Sequence, residues 1–194
     1  MSVDKLGRDL GSLSLKGSVS APEMGETRYK IIILDDDPIH LKMSERSVRS
    51  VIGKFFDKNP GLGERKSSVD YIVAPGTREV LPMLLELTPA QRRRCSVITD
   101  NQMSRGIDSS DVDGADLIAL VKKEEAADAD VTHGVSFLLR SGDHFSSGDL
   151  ARIGLEEDQF LPKPDSSIKD YRKLARKRIR KALKPTGIFS KKGI

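Results

Sequence analysis

Four short strand-length runs in this 194-residue chain each end on side chains that can do chemistry. Ile31 to Leu34 run into Asp35, Asp36 and Asp37, and Ser96 to Thr99 run into Asp100. Val135 to Leu139 lead to Ser141, and Gln159 to Pro162 lead to Lys163. Carboxylates brought together repel one another, so a shared crevice calls for a cation, and oxygen donors from few residues suit Mg²⁺. A hydroxyl and an ammonium facing those carboxylates can hold the oxygens of a phosphoryl group. A carboxylate that attacks such a group gives an acyl phosphate.

The runs have the length of strands, and helical patterns separate them. Lys30 to Leu34 and Val69 to Ala74 read as the first two strands. Ser96 to Thr99, Val135 to Leu139 and Gln159 to Pro162 read as the other three. Asp37-Pro38 suits a helix start, with Asp37 as the cap and proline at the first position. Ile39, Val48, Val51, Ile52, Phe55 and Phe56 then share one face, up to the breaker Asn59-Pro60-Gly61. Val80, Leu81, Leu84 and Leu87 mark a second helix that Pro82 should kink or delay. Further helices follow Gly114, span Ser147 to Ile153, and run from Ile168 through Ala182. Alternating strands and helices predict an α/β fold, a doubly wound five-stranded parallel sheet of order 2-1-3-4-5. In such a sheet the ligand crevice lies at the carboxyl ends of the strands, where the candidate side chains fall.

Hydrophobic residues make up 37% and charged residues 32%, a globular balance. No apolar run approaches the roughly 20 residues of a membrane helix. A single cysteine, Cys95, excludes an intrachain disulfide framework and reads as a buried small apolar residue. His40, His133 and His144 lack metal-ligand spacing and are expected to be solvated. The net charge of +4 is uneven: from Lys169 on there are 11 Lys/Arg and one acid, which leaves 22 bases against 28 acids before it. An acidic body with a basic last helix is not a generally basic nucleic-acid binder.

The segments Ile-Ile-Leu-Asp35-Asp36-Asp37-Pro38, Val-Ile-Thr-Asp100-Asn-Gln-Met103, Leu-Leu-Arg-Ser141-Gly and Phe160-Leu-Pro-Lys163-Pro164 together resemble the signatures of two-component response-regulator receiver domains, over residues 29–183. The resemblance implies that Asp100 is the phosphoacceptor. It implies that Asp36, Asp100 and the backbone carbonyl of Gln102 bind Mg²⁺, with Asp35 helping through water. It gives Ser141 the part of sensing the phosphoryl group, Lys163 that of pairing with its oxygen, and Phe160 that of the aromatic switch. The bond from Lys163 to Pro164 is often cis in that family, and Gln102 and Asp143 stand where hydrolysis is tuned. The chain departs from the pattern at Ser104, where receivers usually carry proline, and in longer loops around Asn59 to Lys66, Thr88 to Arg94 and after Asp100.

These readings predict a tail over 1–28, a receiver domain over 29–183 and a basic tail over 184–194. The expected function is that of a cytoplasmic phosphoacceptor, not an enzyme acting on other substrates. It would be phosphorylated by a histidine kinase or a histidine phosphotransfer protein and would signal to a downstream protein through its last helix. That helix also offers a surface for nucleic acid or an anionic surface. Two alternatives stand beside this. One is a pseudo-receiver that binds partners without phosphorylation. The other is a haloacid-dehalogenase-type phosphatase in which Asp35 attacks and Asp37 acts as acid. The latter lacks its further acidic pair, since Asp165 and Asp170 lie in a basic stretch, and it lacks a cap domain.

Overall fold

The structure, a computed structural model, describes residues 28–103, 111–128, 134–163 and 168–191, with 168 and 169 described by backbone only. Of the expected tail over 1–28, residues 1–27 lie outside the described residues, as do Ser104, His133 and Pro164.

The chain starts with β1 (Tyr29–Leu34), α1 (Pro38–Asp57), a short α2 (Gly63–Ser67) and β2 (Val69–Ala74). It goes on through α3 (Val80–Leu85), α4 (Pro89–Arg92), β3 (Cys95–Asp100) and α5 (Gly114–Ala127). It closes with β4 (Ser136–Ser141), α6 (Ser147–Arg152), β5 (Phe160–Pro162) and α7 (Ile168–Leu183). All pairings are parallel, and the sheet order is β2-β1-β3-β4-β5, as the alternating pattern predicts. This is the flavodoxin-like arrangement.

Strand alternation divides the core into two faces. Ile32, Leu34, Val97, Phe137 and Leu139 pack with Val80, Leu84, Leu117, Ile118 and Val121 on one side. Ile31, Ile33, Ile98 and Leu138 pack with Val48, Ile52, Ala175 and Ile179 on the other. Apolar side chains covered on both faces explain why β1 reads as an unbroken run, while in β3 the small polar Ser96 and Thr99 are buried beside Val97 and Ile98. Cys95 is buried, as expected.

Local departures have local causes. Ile39 is 71% exposed: it sits in the first turn of α1, away from the face that buries Ser44, Val48, Ile52, Phe55 and Phe56. Pro82 is the third residue of α3, where a missing N–H costs no helical bond, so the helix runs from Val80 through it. Two short helices, α2 and α4, fall in stretches read as loops. The second is set by a capping box in which Thr88 and Gln91 satisfy each other's backbone amides.

The basic face of α7 is solvent-exposed at Arg172, Lys173, Arg176, Lys177, Arg180 and Lys181, with Ala175, Ile179, Ala182 and Leu183 turned inward. Lys181 pairs with Asp158. Beyond Leu183 the chain turns back at Gly187, whose φ of 80° favours glycine. Ile188 is then fully buried, and the Phe189 ring meets Phe55 edge-on at 4.9 Å. Among the described residues no helix is long and apolar enough to cross a membrane.

Candidate functional site

The carboxyl ends of β1, β3 and β5 meet at an open cleft of about 580 Å³. Asp36, Asp37, His40, Asp100, Gln102, Met103, Asp113 and Lys163 line it. Parallel pairing in register does the positioning: Leu34 lies opposite Thr99, so the residues that follow, Asp35 and Asp100, emerge together. One oxygen from each of Asp35, Asp36 and Asp100 lies within 4.8 Å of the others. Asp35 and Asp100 are almost wholly shielded from solvent, while Asp36 is half-buried.

Lys163 reaches this group from the end of β5. Its Nζ stands 2.8 Å from Asp100 Oδ1. The hydrogen bond from Lys163 N to Ser141 O, at 2.7 Å, holds its backbone. Burial pushes the Asp100 carboxyl above its usual range, against the pull of Lys163; Asp35 adds to the rise and Arg140 opposes it. Apart from the ion pair, Asp100 Oδ1 has no hydrogen bond among the described residues. A buried, under-coordinated carboxylate oxygen beside two more carboxylates fits a hard divalent cation. Asp36 and Asp100 would hold such an ion, with Gln102 at the cleft wall.

Asp35 is placed differently from its neighbours. Its Oδ1 accepts from Asp37 N at 3.2 Å and its Oδ2 from Arg140 Nη1 at 2.9 Å. Asp37 caps α1, accepting from Ile39 N at 2.7 Å and His40 N at 3.1 Å. Those amides, His40 first and Ile39 second, hold its carboxyl below the usual range. Thus Asp37 both caps the helix and lines the cleft.

The Ser141 hydroxyl is turned into the loop that follows: it accepts from Asp143 N at 2.9 Å and donates to Asp143 Oδ2 at 3.3 Å. Gln102 Nε2 donates to the same carboxylate, at 3.1 Å from Oδ2. Gln102 and Asp143 therefore bridge the loops after β3 and β4. Phe160 is half-buried against the α5 side of the sheet, its ring 5.4 Å from Phe145.

Three features escaped sequence reasoning. His40, in the first turn of α1, lines the open cleft while its side chain stays 43% exposed. Asn101 caps α5 from across the loop, its carbonyl accepting from Gly114 N at 2.9 Å and its Oδ1 from Ala115 N at 3.2 Å. Arg140 lies beside Asp100 in the β3–β4 register and is buried with Asp35. Its place immediately before Ser141 was visible in the sequence, but a buried guanidinium leaves no spacing signature.

Among solved structures, the chain is similar to the crystal structure of a response regulator receiver domain protein from Clostridium thermocellum, at 18% identity and a TM-score of 0.48, over 80% of this chain and 94% of that one. No family model and no curated protein sequence matches. The chain's own sheet order, with helices on both faces, makes it a flavodoxin-like α/β protein.

Proposed function

We propose that this chain is a phosphoacceptor response regulator that takes a phosphoryl group on Asp100. The observation that carries this reading is Lys163 Nζ at 2.8 Å from the buried Asp100 Oδ1, within a cluster of three carboxylates at the sheet's carboxyl edge. Asp100 attacks the phosphorus of a phosphohistidine, the new O–P bond forming as the N–P bond breaks and the imidazole departs. Lys163, already on Asp100, passes to a phosphoryl oxygen and balances the added charge. Asp36, Asp100 and the Gln102 carbonyl, with Asp35 in support, would hold a Mg²⁺ ion, which would supply charge neutralisation there. The Ser141 hydroxyl leaves Asp143 for the phosphoryl group, and Phe160 repacks, which alters the face made by β5 and α7.

The donor is a histidine kinase or a histidine phosphotransfer protein, and the output is contact with a downstream protein in the cytoplasm. A phosphatase that uses Asp35 as nucleophile fits poorly, since both Asp35 oxygens are already engaged in a fully buried position. The Arg140–Asp35 pair lends support to a second reading, a pseudo-receiver whose acidic cluster is partly neutralised by the protein itself.

Incubation with Mg²⁺ and acetyl phosphate, read by intact mass, tests the first reading. A metal-dependent, base-labile adduct that is absent in Asp100→Asn supports it. No adduct with several donors, and no binding of beryllofluoride, overturns it in favour of the pseudo-receiver.

A further inference from the structure

We infer that Arg140 is a built-in counter-cation of the acidic cleft, a positioning residue that holds Asp35 and sets how weakly the cleft binds a divalent cation. The inference rests on the metal-binding half of the reading above. Strand alternation puts Arg140 on the same face as Leu138, toward α1 and α7, where a cation has little water. It is 8% exposed, and its Nη1 meets Asp35 Oδ2 at 2.9 Å and also donates to Ser44 Oγ on α1. Asp35 is 0% exposed.

Desolvating two charges costs about as much as their attraction returns, so a pair of this kind is weak evidence for stability as its purpose. Its effect on the cleft is more definite. Within the cluster, Asp35, Asp36 and Asp100 bring three negative charges, and Lys163 and Arg140 answer two of them, which leaves one beside Asp37 and Asp113 at the cleft wall. Without Arg140 the same cluster would carry two. A divalent cation entering the native cleft thus meets a weaker field, and Asp35 has both oxygens occupied by Arg140 and the Asp37 amide.

The test is Mg²⁺ binding by calorimetry at pH 8, without phosphodonor, on the full chain and two variants. Arg140→Gln removes the charge and leaves a shorter, neutral polar side chain; Arg140→Lys keeps the charge. The expected result is a dissociation constant about tenfold lower for Arg140→Gln, with Arg140→Lys close to the native value. Mg²⁺ should also raise the melting temperature of Arg140→Gln more than that of the native chain. A purely structural Arg140 would lower stability in the variant without tightening metal binding. Equal or weaker binding by Arg140→Gln, or equal tightening by both variants, overturns the inference. If Arg140→Gln is unfolded in chelator, recovery of its helical circular dichroism in millimolar Mg²⁺ supports the inference, and no recovery overturns it. A native chain that binds Mg²⁺ but takes no phosphoryl group sinks the phosphoacceptor reading alone. Native and Arg140→Gln chains that both fail to bind Mg²⁺ sink this one.

Discussion

Gly114 and Asp100 are in backbone contact: a Cβ on Gly114 would stand 2.0 Å from the Asp100 carbonyl oxygen. The N-terminus of α5 is therefore seated directly on the end of β3, where Asn101 receives its first amides. A side chain can swing away from such a clash, but a strand carbonyl in the middle of the sheet cannot. Gly114→Ala should cost about 3 kcal/mol, the upper end for overpacking. The measurement is the urea midpoint at unchanged slope. On the proposed reading, phosphoryl uptake on Asp100 should fall with it, because relief of the clash moves the backbone of the proposed acceptor.

Asp111 ties the loop after β3 to the start of α3. It accepts from Thr77 N at 2.8 Å, Arg78 N at 2.9 Å and Thr77 Oγ1 at 3.2 Å, while Thr77 Oγ1 also accepts from Val112 N at 2.9 Å. Thr77 is fully buried, so loss of the carboxylate leaves its amide without a partner. Asp111→Ala should destabilise by about 2 kcal/mol. Hydrogen exchange should quicken at Thr77 and Arg78 while β3 stays protected. Unchanged exchange at those two amides would contradict the clasp.

Ile188 is 0% exposed although it lies beyond the last helix. Ile188→Ala should cost about 2–5 kcal/mol, as other buried isoleucine truncations do. Phe189 stacks edge-on against Phe55 of α1, so thermal melting of the variant should show loosening at α1 as well as at α7. A melting temperature within a degree or so of the native chain would show that the segment is not held.

Burial pushes the Cys95 thiol up to about 12 from its ordinary 9.0. Between those values the native state holds a proton that the unfolded chain has lost, so stability falls as pH rises from 9.0 toward 12 and is unaffected below. Thiol reagents at pH 8 should label Cys95 only at the rate of unfolding. Cys95→Ala should flatten the alkaline decline. Rapid labelling of the folded chain would contradict the burial.

Much of this arrangement was legible in the residues. Five strand-length apolar runs separated by helical patterns define the sheet, because strands buried on both faces need continuous apolar stretches and parallel neighbours need helical crossovers. Asp35, Asp36, Asp100 and Lys163 were legible because parallel register brings strand ends together at one edge. The cap at Asp37 and the Thr88–Gln91 box are local, set within one turn of chain, and so are written in the sequence.

Contacts over long sequence separations were not legible. Arg140 is 105 residues from Asp35, Asp111 is 34 from Thr77, and Asn101 caps a helix 14 residues on. Nothing local distinguishes such an arginine or asparagine from a solvated one. The Ser141 hydroxyl likewise has its direction from Asp143 and the loop. Short-range preferences act through a few torsions and leave a periodic trace. The partner of a buried charge is chosen by where the whole chain packs, since desolvation forces it to pair with whatever the fold brings within reach.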